Sequence, residues 1–349
     1  MSFRMHRLLN YDLSLDFKSE AILPLMMDLD RIFKSYETEL RITEQKIKDL
    51  FNSPVITIPL IGKHILEGGG KRLRPLILIL SSELANYRGD DRLTLAGIIE
   101  SIHTASLLHD DVVDGADKRR GKVPAHSVWG NQIVILVGDF LYANALRLAV
   151  LQKKQEVMEA LSEATTRMTE GEILQLAKTG DPDITEEDYL NIISAKTGAL
   201  ISAACKIGAV LGSLPEEKKN ALARFGMKTG IAFQMADDVL DYMADEGELG
   251  KHLGKDLKEG KITLPLIYLL KTAPDKEREE VKNIVRDGFK KSGLTKILKL
   301  FKKYHTMELS LEKAHNLIAD AKNELAAFAD GTAKEALITV ADYTLLRRK

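Results

Sequence analysis

The stretch AKTGALISAACKIGAVL, residues 195–211, is small or apolar around nearly its whole circumference when wound at 3.6 residues per turn. A helix of that kind has no face to offer water and belongs at the centre of a bundle. Outward from it, helical periodicity persists in both directions. Pro and Gly punctuate the chain without marking strand pairs, and the alternating apolar–polar pattern of a half-buried sheet is missing. Thr185 followed by Glu186, Glu187 and Asp188 is capping-box chemistry, and Ser213 with Glu216 predicts a second box, with Pro215 in its first turn. No long linker, low-complexity segment or short repeat interrupts the pattern. The expected fold is all-α: a single-domain helical bundle of about a dozen helices. Residues 1–18 read as a loosely attached leader and 19–349 as the folded domain.

Composition narrows the function classes. The 349 residues are 45% hydrophobic, enough for a substantial core, and 50 Lys and Arg against 51 Asp and Glu leave a formal net charge of −1. The basic footprint of a nucleic-acid binder is absent. Cys205 is the single cysteine, which rules out an internal disulfide and a Cys-based zinc site and fits a reducing cytosol. It reads as a small buried apolar residue. The N-terminus lacks the apolar core of a signal peptide. The segment Ile133–Leu151 is interrupted by Asp139, Asn144 and Arg147, so no membrane span and a soluble, cytoplasmic protein are expected.

Two acidic motifs carry the chemistry. Asp110-Asp111-Val112-Val113-Asp114 ends the apolar helix Ile98–Leu108, and Asp237-Asp238-Val239-Leu240-Asp241 ends a helix running from Arg224. In each, the first and last Asp are four apart and share a helical face, while the second is rotated away. An N-cap cluster or a solvated acidic surface would be the ordinary explanation. Both motifs instead follow apolar stretches at helix C-termini, where the macrodipole disfavours anions. Such placement anticipates a cation. Hard carboxylate oxygens with no Cys ligand suit Mg²⁺, with Mn²⁺ as a substitute, and Mg²⁺ completes its shell with water and phosphate oxygens. Asp110, Asp114, Asp237 and Asp241 are the expected metal ligands of a site holding several ions around one diphosphate.

Basic residues match them. Gly68-Gly69-Gly70-Lys71-Arg72-Leu73-Arg74-Pro75 is a Gly-rich turn before an apolar helix, where backbone N–H groups, Lys71 and Arg74 suit an anion. It is not a P-loop, since the Lys-Ser/Thr ending and preceding strand are missing. Arg119 and Arg120 lie one short loop beyond the first motif, and His103 lies two turns before Asp110 on the same face. Beyond the second motif, Gly250-Lys251-His252-Leu253-Gly254-Lys255-Asp256 and Gly260-Lys261 read as a flap that closes on phosphate.

Together these residues resemble the trans-isoprenyl diphosphate synthases, or polyprenyl synthetases. The resemblance runs from about Gly68 to Ala341-Asp342-Tyr343 and includes both aspartate motifs, Arg119-Arg120-Gly121, Gly138-Asp139, Gly171-Glu172, Lys196-Thr197, Phe233-Gln234 and Gly260-Lys261-Ile262-Thr263-Leu264-Pro265. Several segments look most like the octaprenyl diphosphate synthase branch. The resemblance implies head-to-tail condensation of isopentenyl diphosphate onto an allylic diphosphate, for quinone side chains, by a homodimer. It places Asp110, Asp114, Asp237 and Asp241 on Mg²⁺ with Asp111 and Asp238 in support. It places Lys71, Arg74, His103 and Arg120 on isopentenyl diphosphate, and Arg119, Lys196, Lys251 and Lys261 on the allylic diphosphate. Thr197 and Gln234 resemble the groups flanking the carbocation. Family members that stop at farnesyl carry a bulky aromatic where this chain has Ala105 and Ser106, so a long product is implied, with a tunnel floor deeper, near Leu146. The rival readings are a short-chain farnesyl or geranylgeranyl diphosphate synthase, a terpene cyclase and a non-catalytic subunit of a heteromeric synthase. A cyclase would carry an Asn/Ser/Glu second metal motif, and a non-catalytic subunit typically loses motif carboxylates; neither change occurs here.

Overall fold

Residues 199–211 form a helix whose Leu200, Ala204, Cys205, Ile207 and Ala209 are almost wholly shielded from solvent. Three helices surround it: Leu73–Leu84, Gln155–Ala177 and Glu216–Leu240. In this computed structural model the described residues are 22–116, 122–243, 254–289 and 291–345, and no β-strand occurs among them. The leader 1–18, Arg119, Arg120 and Lys251 lie outside the described residues. Each fully buried Leu or Ile contributes about 1.5–3 kcal/mol of transfer free energy, so an all-apolar central helix ties the bundle together.

The central helix is longer than its apolar stretch suggests. It runs without a break from Glu186 to Leu211, and residues Ser194–Gly198 form a single π turn within it. The start is set by the Thr185 box: the Thr185 hydroxyl accepts the Asp188 N–H at 3.0 Å, and the Asp188 carboxylate accepts the Thr185 N–H at 3.1 Å. The second box predicted from Ser213 does not form. Ser213 adopts a left-handed backbone with φ 53° and its N–H closes the preceding helix on the Val210 carbonyl. Pro215 becomes the N-cap, without a side-chain cap bond, and the helix carrying the second aspartate motif begins at Glu216 rather than Arg224.

Asp91–Val113 carries the first motif and packs against Asn131–Leu151 and Glu37–Leu50. Gly138 is required at that contact, because the His109 ring lies where its side chain would be: a Cβ would meet Nε2 at 2.4 Å. His109 Nε2 also lies 3.2 Å from Asp139, so the Gly138-Asp139 pair pins the helix one residue before Asp110. By length and composition, Asn131–Leu151 and Glu186–Leu211 are both able to cross a membrane, contrary to the expectation that no run reaches a span. The three polar residues of the first are too few to disqualify it. Glu186–Leu211 is 72% buried within the fold, as a core helix should be. Asn131–Leu151 is only 33% buried and turns Ile133, Ile135, Leu136, Val150 and Leu151 outward. Cys205 is buried as expected, and burial pushes its thiol up to about 12.

Candidate active site

A cavity of about 670 Å³ opens between the C-terminal ends of Asp91–Val113 and Glu216–Leu240. Both helices stop at their aspartate motifs, with Asp114 and Asp241 as the C-caps. Asp110 and Asp114 line the cavity from one side, and Asp237 and Asp238 line it from the other. Asp111 is turned away and buried, against a second, smaller cavity shared with His103 and Lys122. Asp241 departs from the expected face-sharing. It is buried, does not line the cavity, and accepts the backbone N–H of Asp256 at 3.0 Å. The Asp256 N–H holds Asp241 toward the chain that follows, and Asp238 and Asp256 line the cavity instead.

This acidic wall is electrostatically tense. Burial, and then the Asp241 charge, push the Asp256 carboxyl up to about 7. Burial and the Asp256 charge raise Asp238 well above the usual carboxylate range, while hydrogen bonds from Tyr189 and Gln234 work against them. Crowded carboxylates of this kind are relieved by a cation. Among the described residues no three carboxylate, histidine or cysteine side chains converge on one point as a ready-made cage. That suits an ion held by one or two carboxylates, with substrate oxygens supplying the rest.

Basic side chains share the same cavity. Lys71, Arg74 and His103 line the cavity from the Gly-rich turn and the Asp91–Val113 helix, and Lys196 and Lys261 line it from the far side. Lys71 donates to the Tyr343 hydroxyl at 2.5 Å, with its ammonium 5.1 Å from the ring centroid. Lys261 bridges Asp114 at 2.9 Å and Glu259 at 2.8 Å. Burial alone would lower the Lys261 ammonium; the bonds and charges of Glu259 and Asp114 outweigh it and raise it above the usual lysine range. Lys196 pairs with Glu172 and donates to Gln175 at 3.2 Å.

The π turn aims Lys196 and Thr197 together. Widening one turn of a helix shifts the following side chains, and such turns recur at functional sites. Close approach of two glycines holds it against the neighbouring helix: a Cβ on Gly230 would sit 2.8 Å from the Gly198 Cα. Thr197 is therefore near enough to donate to the Gln234 carbonyl oxygen at 2.8 Å.

Of the chain-length positions, Ser106 lines the cavity and donates to the His103 carbonyl. Ala105 is buried in an apolar cluster with Val134, Val137 and Leu141, between the Asp91–Val113 and Asn131–Leu151 helices. Leu146 is half-buried and lies next to Ala145, which faces that interface.

Sequence reasoning overlooked Arg72. Its backbone is left-handed at φ 50°, which is costly for a residue with a large side chain. Its guanidinium grips Glu44 at 2.8 and 3.2 Å and Glu100 at 3.0 Å. The clamp fixes the turn carrying Lys71 and Arg74, and it neutralises a Glu100 carboxylate that lines both cavities. Removing one partner of a part-buried pair leaves Glu100 without its cation, so Arg72→Met should cost about 1–3 kcal/mol. Urea unfolding of the variant checks this. Nothing in the local sequence distinguishes Arg72 from its neighbours; Glu44 lies 28 residues away.

The sequence profile of the polyprenyl synthetase family matches residues 57–301. The octaprenyl diphosphate synthase of Escherichia coli strain K12 is 37% identical over 92% of this chain and 99% of that protein. A short chain isoprenyl diphosphate synthase of Methanothermobacter thermautotrophicus is 34% identical over 92% of this chain and 99% of its own length. Among solved structures, a polyprenyl synthase from Caulobacter crescentus complexed with calcium and isoprenyl diphosphate superposes with a TM-score of 0.86. It is 38% identical, over 92% of this chain and 98% of that one.

Proposed function

Because this chain belongs to the polyprenyl synthetase family and is a polyprenyl diphosphate synthase, a prenyltransferase, we propose that it makes a long, octaprenyl-like all-trans product. Isopentenyl diphosphate is added head-to-tail to an allylic diphosphate, and pyrophosphate leaves at each step. The observation that carries the reading is the cavity itself, where carboxylates from two helix ends and five basic side chains, Lys71, Arg74, His103, Lys196 and Lys261, line one space of about 670 Å³.

Mg²⁺ is the proposed ion, held by Asp110, Asp114 and Asp237 with Asp111 and Asp238 in support; Asp241, the fourth expected ligand, faces the Asp256 backbone in this structure and would have to turn to reach the ion. When bound, the ion would stabilise charge on the departing pyrophosphate. Lys196 and Lys261, with Arg119 and Lys251, take the allylic diphosphate and oppose the charge that grows as the carbon–oxygen bond breaks. Lys71, Arg74 and His103, with Arg120, hold isopentenyl diphosphate so that its alkene meets the allylic cation. The Thr197 hydroxyl and Gln234 carbonyl flank that cation with dipoles, and the apolar bundle keeps water away from it. The proton lost after carbon–carbon bond formation goes to pyrophosphate, as the family resemblance implies.

A long product is favoured by small side chains at Ala105 and Ser106, since relatives with long and with short named products are almost equally similar. Residues 19–349 act as one catalytic domain of a cytoplasmic homodimer that serves quinone side chains. The outward apolar residues at both ends of Asn131–Leu151 support pairing of two copies at that helix, because exposed apolar side chains beyond scattered single ones mark interaction sites.

Incubation with Mg²⁺, labelled isopentenyl diphosphate and farnesyl diphosphate, followed by sizing of the extracted products, tests the reading. Products of farnesyl or geranylgeranyl length alone would refute the long-chain assignment. The two anion sites separate kinetically: Lys71→Ala should mainly raise KM for isopentenyl diphosphate, and Lys261→Ala should mainly weaken the allylic substrate. Effects on the opposite substrates would reverse the division of the basic residues.

A further inference from the structure

Tyr189 lines the cavity from the Glu186–Leu211 helix, almost wholly shielded from solvent at 3% exposure. Its hydroxyl donates to Asp238 Oδ2 at 2.7 Å. The other oxygen of the same carboxyl, Oδ1, accepts from Gln234 Nε2 at 2.8 Å. The Gln234 carbonyl oxygen in turn accepts the Thr197 hydroxyl at 2.8 Å. A single chain of hydrogen bonds therefore runs from a buried phenol to the two dipoles on the cavity wall.

An amide side chain has two ends of nearly equal size and opposite polarity, so space alone does not choose its orientation. Here the chain chooses. In this structure each Asp238 oxygen accepts from one donor, Oδ2 from Tyr189 and Oδ1 from the Gln234 NH₂ group. The Gln234 carbonyl oxygen is left for Thr197 and the cavity. We propose that Tyr189 is a positioning residue for this reaction: through Asp238 it locks the Gln234 amide with the negative end of its dipole toward the developing allylic cation. This rests on the reading of Thr197 and Gln234 given under the proposed function, and it gives the second aspartate of the second motif a task other than holding metal. Without the Tyr189 hydroxyl, Oδ2 loses its donor, the carboxyl is free to turn, and the amide has no fixed partner to face. A dipole that must reorient during the reaction stabilises charge less well than one already in place.

The test is steady-state kinetics on the full-length enzyme with Mg²⁺, labelled isopentenyl diphosphate and farnesyl diphosphate. Tyr189→Phe removes one oxygen and keeps the ring. We expect kcat to fall by about tenfold or more, with both KM values within about twofold of the parent. Asp238→Asn, which lets the amide face either way, should lower kcat similarly with the Mg²⁺ concentration for half-maximal activity unchanged, and it serves if Tyr189→Phe folds poorly by circular dichroism; a shifted Mg²⁺ requirement would assign its loss to the ion and count against the proposal. The decisive arm is Tyr189→Phe combined with Gln234→Leu. Residues acting in one chain are not additive, so the tyrosine change should slow the Gln234→Leu enzyme little further. A general packing role would slow both backgrounds by the same factor, and that result would overturn the proposal. So would a wild-type kcat in Tyr189→Phe, or an effect confined to KM. If Gln234→Leu itself keeps full turnover, the assignment of Gln234 to the cation fails first and the inference falls with it. A Gln234→Leu loss beside an unaffected Tyr189→Phe sinks the inference alone.

Discussion

Asp110→Ala and Asp237→Ala should each lower turnover by several orders of magnitude while leaving the helical circular dichroism spectrum in place. The two side chains line the cavity from the ends of different helices, so neither can substitute for the other. Their loss removes hard oxygen donors at the place where pyrophosphate charge develops, and electrostatic stabilisation of that kind is commonly the largest contribution to catalysis. The fold should tolerate the change. Each motif sits at a helix C-terminus, where the macrodipole opposes a carboxylate, so removing one there relieves a small local cost. A chelator should abolish activity of the parent enzyme in the same way, and Mg²⁺, or Mn²⁺ in its place, should restore it. Turnover near the parent value in either variant would refute the metal assignment. Asp241→Ala is an informative companion, because Asp241 is buried against the Asp256 backbone and does not line the cavity. A loss of melting temperature in that variant, alongside any loss of turnover, would reveal a share of structural work.

Ala105→Tyr should convert a long-chain enzyme into one releasing mostly farnesyl or geranylgeranyl diphosphate, with the first condensations largely retained. Ala105 lies just over one helical turn before Asp110, in the dry layer between the Asp91–Val113 and Asn131–Leu151 helices. Its neighbours Val134, Val137 and Leu141 are almost fully buried; on the proposed long-chain reading the growing isoprenoid enters this layer, and a phenol ring there would take its space. A close-packed interior does not absorb that volume without displacement, typically at about 1–3 kcal/mol. Some loss of thermal stability should therefore accompany the shortened product. Ser106→Phe provides the contrast, since Ser106 faces the cavity directly and a ring there intrudes nearer the diphosphates. Chromatography of extracted products decides the matter. An active Ala105→Tyr enzyme with an unchanged long product would show that the chain leaves the cavity by another route.

The sequence by itself determined the fold class, the two aspartate motifs and their position at helix ends, and most of the basic residues of the cavity. These are local properties. A helix announces itself by a 3.6-residue period, a metal motif by a four-residue spacing, and an anion-binding turn by adjacent glycines and cations. The Thr185 capping box was legible for the same reason, since both partners lie within one turn. The second box failed because Ser213 was needed to close the preceding helix, and two local signals within four residues compete for the same backbone. Only the tertiary structure decided which way each side chain of the motifs faces, where the π turn falls, and which residues hold the catalytic groups in place. Asp241 turns from the cavity because the segment arriving at Asp256 offers it a backbone N–H. Tyr189 meets Asp238 across 49 positions, Arg72 meets Glu44 across 28, and Lys71 meets Tyr343 across 272. Such partners have no shared period or spacing. They are brought together by helix packing, and the free energy of a buried hydrogen bond or ion pair depends on that packing rather than on the residues' order in the chain.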